Sequence, residues 1–206
     1  MKQITIVDYG SGNVLSAQKS FIKVTNEINL ESKVLISNNL NDIKNSTHIV
    51  LPGQGAFSTC MNGIKKKPGL IEELYNFAMV KKKPFLGICV GMQMLATHSE
   101  ENGYHKGLGW IDGIIKTLRV KDLKIPHMGW NTVKSLRKNK LISSVSDYYF
   151  VHSYYFDCKK NENILAETQY GMSFASIVEK ENIYGVQFHP EKSSSQGLNL
   201  IKNFIS

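Results

Sequence analysis

The sequence predicts an α/β fold: an open, mostly parallel sheet with helices on both faces, extended in the second half by antiparallel strands. Two observations carry this reading. The first hundred residues alternate short apolar runs with stretches of helical periodicity. From "GIIKTLRV" onward the runs are short and alternating, with few helical signals between them, until a last amphipathic segment.

Taken in order, "ITIVDYG" is an apolar run ending in turn residues, a strand. "NVLSAQKSFIKV" places Val14, Ala17, Phe21 and Val24 at helical spacing. "KVLIS" is a second strand, "LNDIKN" a short helix or turn, and "HIVLPG" a third strand closed by Pro-Gly. "FSTCMNGI" reads as a helix that turns Cys60 inward, and "GLIEELYNFAMV" as an amphipathic helix. "PFLGICV" is a fourth strand and "GMQMLATHS" the helix after it. "GIIKTLRV", "NTVKSL", "YYFVHSYYF", "NILAETQY" and "MSFASIVEK" read as antiparallel strands, a ribbon or a second sheet. "IYGVQF" is the last strand and "QGLNLIKNFI" the closing helix. With no internal repeat, low-complexity segment or linker, residues 1–206 are expected to form one domain.

Composition narrows the function. Hydrophobic residues make up 42%, which suits a packed globule. No apolar run reaches the roughly 18–20 residues of a membrane helix, and the strand-like N-terminus lacks a signal-peptide cleavage region. A soluble cytoplasmic protein is the expectation. Three cysteines at wide spacing, Cys60, Cys89 and Cys158, argue against a disulfide framework, and no spacing suggests a metal site. The net charge of +8 raises the question of nucleic acid. Only Arg119 and Arg137 are arginines, and the lysine runs at 65–67 and 81–83 lie at the ends of apolar segments. A solvated face explains them more simply; an acidic or phosphorylated partner stays open, and nucleic acid is not expected.

Cys89 lies in "GICVG", between a strand and a helix. A residue at such a junction can sit on a tight turn with its side chain clear of the backbone, the logic of a nucleophile elbow. The helix start favours a thiolate, and the Val90 N–H is placed to face an oxyanion. The pentapeptide alone equally allows a buried structural cysteine. A nucleophile needs a base. Among six histidines, His48 opens a strand, and His98 and His105 lie in polar loop sequence. His127 and His152 have no nearby acid to orient them. His189 ends a strand and precedes Pro190-Glu191. Proline holds the preceding residue extended, and residues two apart in extended chain face the same side. Glu191 can therefore hold one ring nitrogen while the other faces Cys89. In "LPGQGAF", Gly53 and Gly55 bracket Gln54, a plain turn or a loop supplying a second oxyanion donor. "DYGSGN" has Leu15 where a dinucleotide fingerprint needs glycine, so no organic cofactor is expected.

Together, "LPGQGAF", "GICVGMQ" and "VQFHPEKS" resemble the three signature segments of class I, triad-type, glutamine amidotransferases. The finer resemblance, nearly full-length, is to glutaminase subunits of imidazole glycerol phosphate synthases, through "DYGSGN", "PHMGWN", "YFVHSY" and "HPEKS". The resemblance implies a flavodoxin-like amidotransferase fold. It makes Cys89 the nucleophile, His189 the base and acid, and Glu191 the orienting carboxylate, with Gln54 and Val90 as backbone oxyanion donors. Gly55, Gln93, Glu101, Ser153 and Tyr154 align with the glutamine pocket. Asn13, Trp130, Tyr149 and Lys192 align with the face that meets a synthase subunit. The family usually has valine where this chain has Gln54, which touches the efficiency of the oxyanion hole rather than the reaction class.

The resemblance also implies glutamine as substrate, no metal or cofactor, and a heterodimer with a (β/α)8-barrel cyclase that receives ammonia. Free ammonia would be protonated in water, and 206 residues leave no room for an acceptor domain. The reading is then a histidine-pathway glutaminase. Two alternatives stand beside it: a paralogue feeding a synthase of nitrogen-containing surface sugars, and a non-catalytic regulatory or scaffold subunit.

Overall fold

The computed structural model describes the whole chain, Met1–Ser206. Its first half alternates as the periodicity requires: β1 (Lys2–Val7), α1 (Val14–Glu27), β2 (Ser32–Ser37), α2 (Leu40–Asn45), β3 (His48–Gly53), α3 (Phe57–Lys65), α4 (Leu70–Tyr75), β4 (Phe85–Cys89) and α5 (Val90–Gln93). The second half runs β5 (His98–Ser99), β6 (His105–Lys106), β7 (Gly113–Thr117), β8 (His127–Ser135), β9 (Val145–His152), β10 (Tyr154–Cys158), β11 (Ile164–Gln169), β12 (Ser173–Lys180), β13 (Ile183–Val186) and α6 (Ser194–Ile205).

All strands join one sheet, in the order β2-β1-β3-β4-β13-β12-β10-β7-β5-β6, with β11 pairing β12 and carrying the β8–β9 ribbon. The pairing is parallel from β2 to β13. It turns antiparallel between β13 and β12, so the second half continues the first sheet rather than forming another. Every residue of β3, β4 and β13 is buried, as strands covered on both faces must be. The helices supply that cover. α1 and α6 pack together, with Phe21 meeting Phe204 edge-on at 6.4 Å. α2 and α3 contact α4 in a second group.

Strand order reverses between β2-β1 and β3-β4, so the ends of β1 and β3 flank a switch point where such sheets leave a crevice. The loop after β1, the loop after β3 and the end of β4 all open there.

Several local expectations change. The helix after Cys89 stops at Gln93 instead of reaching Ser99. The carbonyls of Met94, Leu95, Ala96 and Thr97 accept from the N–H groups of residues 107–111, so tertiary pairing takes the acceptors that a longer helix would use internally. His98 and His105 consequently sit in a small hairpin rather than a loop. The "YYFVHSYYF" run is two strands, β9 and β10, broken at Ser153. "GLIEELYNFAMV" passes from α4 into a π-helical turn over Asn76–Val80. No helix is long and apolar enough to cross a membrane.

Candidate active site

Cys89 ends β4 with φ 54° and ψ −113°, a backbone that non-glycine residues rarely adopt. The strain turns its side chain out of the sheet, although the residue is only 5% exposed. Gly91 makes the turn possible: a Cβ there would lie 1.8 Å from the Leu51 carbonyl oxygen, so α5 presses directly on β3. Val90 opens α5, where helical N–H groups have no partner of their own. The elbow expected from "GICVG" is therefore present in the backbone.

His189 lies three residues beyond the end of β13, in extended conformation at φ −104° and ψ 98°. Its Nδ1 is 2.9 Å from Glu191 Oε1, and both side chains are almost wholly buried. Nδ1 therefore carries the proton, donating to the carboxylate, and Nε2 is left for chemistry. That Nε2 is buried with no well-aligned hydrogen-bond partner. Burial alone would push His189 down. The hydrogen bonds and charges of Cys89 and Glu191 outweigh it and raise the imidazole to about 10. The ring is held ready as an imidazolium facing Cys89. Its backbone is tied to β9, with the His189 N–H donating to the Tyr149 carbonyl at 2.9 Å.

A cavity of about 240 Å³ opens on these groups. It brings together Cys89, His189, Gln54, Gly55, Val90, Gln93, Glu101, Ser153 and Tyr154, all expected from the sequence, and Lys192 from the expected partner face. Glu101 is fixed across the cavity, where its Oε2 accepts the Phe57 N–H at 2.7 Å. Gln93 donates to the Tyr154 carbonyl at 3.2 Å. Glu191 does not line the cavity; it stands behind His189.

The loop after β3 is gripped from the loop after β1. Tyr9 Oη donates to the Pro52 carbonyl at 2.6 Å, and Ser11 Oγ to the Gln54 carbonyl at 2.8 Å. Cys60 is fully buried, as expected, but its thiol also reaches the Gln54 carbonyl at 3.4 Å. The peptide between Gly53 and Gln54, which bears the expected donor N–H, thus lies between two anchored carbonyls. Gly55, at φ 89°, allows the turn that follows.

Two cavity-side residues escaped sequence reasoning. Gln187 is fully buried and its Nε2 lies 3.8 Å from Cys89 Sγ. The signal for it was an amide within an otherwise apolar strand end. His152 lines the cavity and bonds His127 at 2.9 Å. Burial drives both imidazoles toward the neutral form, His152 to about 3 and His127 to about 4. No group of three or more His, Cys, Asp or Glu side chains is placed to hold a metal ion.

This arrangement matches a family described as glutamine amidotransferase class-I over residues 5–206. The chain belongs to the class-I glutamine amidotransferases. Among amidotransferases of this family, it is 43% identical to the "Imidazole glycerol phosphate synthase subunit HisH" of Pelagibacter ubique, covering 98% of this chain and 99% of that one. It is 46% identical to "Imidazole glycerol phosphate synthase subunit HisH 2" of Methanococcus maripaludis, over 98% of each. A crystal structure described as a glutamine amidotransferase superposes with a TM-score of 0.72 at 15% identity, covering 98% of this chain and 96% of that one, a likeness of fold.

Proposed function

We propose that this chain is the glutaminase subunit of an imidazole glycerol phosphate synthase in histidine biosynthesis, a cytoplasmic protein acting as one domain of residues 1–206. Family membership and relatives near 40% identity along nearly the whole chain support glutamine hydrolysis and assembly with a synthase subunit. The observation that carries the chemistry is His189, oriented by Glu191 at 2.9 Å with its other nitrogen free in the cavity that holds Cys89.

Cys89 attacks the side-chain amide carbon of glutamine as the thiolate. The tetrahedral oxyanion is received by the backbone N–H groups of Val90 and Gln54, each worth about 3–4 kcal/mol when well aimed. Imidazolium His189 gives its Nε2 proton to the leaving nitrogen, and ammonia departs. The thioester left on Cys89 is then hydrolysed by water: His189 Nε2 takes and keeps the water's proton, and collapse of the second tetrahedral intermediate expels the Cys89 thiolate and restores the starting pair. Glutamate leaves. Gly55, Gln93, Glu101, Ser153 and Tyr154 hold the substrate through the cavity walls.

Ammonia must reach its acceptor before water protonates it, so the partner docks over the same edge of the sheet. The partner is a (β/α)8-barrel cyclase in a heterodimer, which forms imidazole glycerol phosphate and aminoimidazole carboxamide ribotide. An exposed aromatic face suits such docking. Trp130 is 55% exposed and meets Tyr149 edge-on at 6.3 Å, and Lys192 stands exposed beside the cavity. Asn13 is partly committed elsewhere, since its side-chain oxygen caps α1 by accepting from the Ser16 N–H at 3.3 Å. Co-expression with a histidine-pathway cyclase should give glutamine hydrolysis that Cys89→Ala abolishes. Activity surviving in Cys89→Ala refutes the nucleophile; failure to rescue a histidine auxotroph refutes the acceptor and turns attention to a surface-sugar synthase.

A further inference from the structure

We propose that Gln187 is a positioning residue for the nucleophile, donating its side-chain Nε2–H to the Cys89 thiolate from an amide whose orientation Gln93 fixes. The inference rests on the reading of Cys89 as nucleophile and gives a role to a residue of the "VQFHPEKS" segment that does not line the cavity.

The orientation follows from groups that can act in only one sense. The Tyr154 carbonyl only accepts. Gln93 must therefore turn its Nε2 toward it, at 3.2 Å. The same nitrogen lies 3.0 Å from a Gln187 amide atom, which must then be the oxygen, Oε1. That leaves Gln187 Nε2 facing Cys89 Sγ at 3.8 Å. A reversed Gln187 would set two N–H groups against each other and an amide oxygen against the sulfur. Gln93 and Gln187 are 3% and 0% exposed, so water cannot substitute for either partner.

The anchor is itself held. His152 Nδ1 lies 2.8 Å from the Tyr154 carbonyl and must donate to it. His152 Nε2 therefore accepts from His127 Nδ1 at 2.9 Å. Two neutral imidazoles thus fix the carbonyl on which the amide chain is built.

Besides the His189 ring that faces it, the sulfur has two contacts of opposite meaning. The Val151 carbonyl, at 3.9 Å, can receive only an S–H and so favours the neutral thiol. Gln187 Nε2–H favours the thiolate. Removing the Gln187 donor leaves His189 alone to oppose Val151.

The experiment uses the full-length chain and follows iodoacetamide alkylation of Cys89 against pH, resolved by peptide mass. Cys158, which burial pushes up to about 12, serves as a slow internal control. In Gln187→Met, which retains volume but has no donor, the midpoint of the Cys89 curve should rise by about one pH unit, the scale of a hydrogen bond to a charged group. Gln187→Glu keeps the shape and still accepts from Gln93, and should shift the midpoint at least as far in the same direction; it provides the reading if the Met variant does not fold. With the synthase partner, kcat should fall while KM for glutamine stays near wild type, because Gln187 does not line the cavity. An unchanged midpoint in the folded variants overturns the proposal. If wild-type Cys89 is neither faster than Cys158 nor protected by glutamine, the nucleophile reading fails instead, and the proposal with it.

Discussion

The two sides of the cavity are built differently. Cys89 and His189 stand at the ends of β4 and β13, which pair with each other at the centre of the sheet and are buried at every position. Gln54 and Gly55, opposite, are exposed residues of a loop held by a few hydrogen bonds from Tyr9, Ser11 and Cys60. In the proposed mechanism Cys89 and His189 need a fixed separation in every turnover, and core packing provides it. In the proposed mechanism the donor loop has only to present one N–H when an oxyanion forms, and its tie runs to the loop after β1, at the edge proposed for partner docking. The difference teaches that nucleophile geometry depends on the core, whereas oxyanion geometry depends on a surface loop.

Gly91→Ala is the largest expected break of the rigid side. Its Cβ would overlap the Leu51 carbonyl oxygen at 1.8 Å, and the atoms nearest to it, from Leu51 and Pro52, are all backbone. β3 and α5 must separate, which costs about 4–5 kcal/mol and a large part of a domain's stability. Denaturant unfolding should show little folded protein.

Next comes Glu191→Gln, which breaks the chemistry and spares the packing. The amide can present its NH2 to His189 Nδ1 and favour the tautomer with the proton on Nε2, and it removes the charge that supports the imidazolium. Glutamine hydrolysis with the partner should fall roughly 10³-fold, about 4 kcal/mol, with a melting curve near wild type.

A third test strikes the wall contributed by the antiparallel half. Burial holds His127 down to about 4 and His152 to about 3, and it holds His48, on β3 and away from the cavity, near 4 as well. Each is neutral in the fold, and the unfolded chain binds the proton first as pH falls. The stability these groups carry is whole above about 6.5 and is lost progressively between 6.5 and their folded values, on the order of 3 kcal/mol for one such imidazole. Urea midpoints measured from pH 7 to 4 should fall steadily, and a flat profile would contradict the assigned neutral His127–His152 pair.

Local sequence revealed the rigid side well. A strand-to-helix junction around Cys89 and a His-Pro-Glu run are signals within a few residues, and Pro190 does hold His189 extended. What sequence did not reveal depends on partners far along the chain. Gln187 lies two residues before His189, yet its meaning comes from Gln93, 94 positions away. His152 lacked an acid in its own stretch, and its partner is another histidine across the β8–β9 ladder. No helix continues beyond Gln93 because residues 107–111 return to take the carbonyls of residues 94–97, which no periodicity in 90–99 can show. The antiparallel strands were legible as strands, while their place in the first sheet was set by pairing alone.

The smallest expected effect tests the donor loop. Ser11→Ala removes the hydroxyl that donates to the Gln54 carbonyl at 2.8 Å, and Cys60→Ala removes the weaker thiol donor at 3.4 Å. Neither residue lies in the core strands that carry Cys89 and His189. The hydroxyl bond is worth about 1 kcal/mol and the thiol bond a few tenths, so the double variant should lose roughly five- to tenfold in kcat with KM for glutamine little changed. Alkylation of Cys89 should be unaffected, since the thiolate contacts are intact. Gln54→Val alters only an exposed side chain and leaves both anchored carbonyls, so it should change kcat less than the double variant does. If the double variant instead slowed Cys89 alkylation as much as glutamine hydrolysis, the two sides of the cavity would be one mechanical unit, and the separation between core-held nucleophile and loop-held donor would fall.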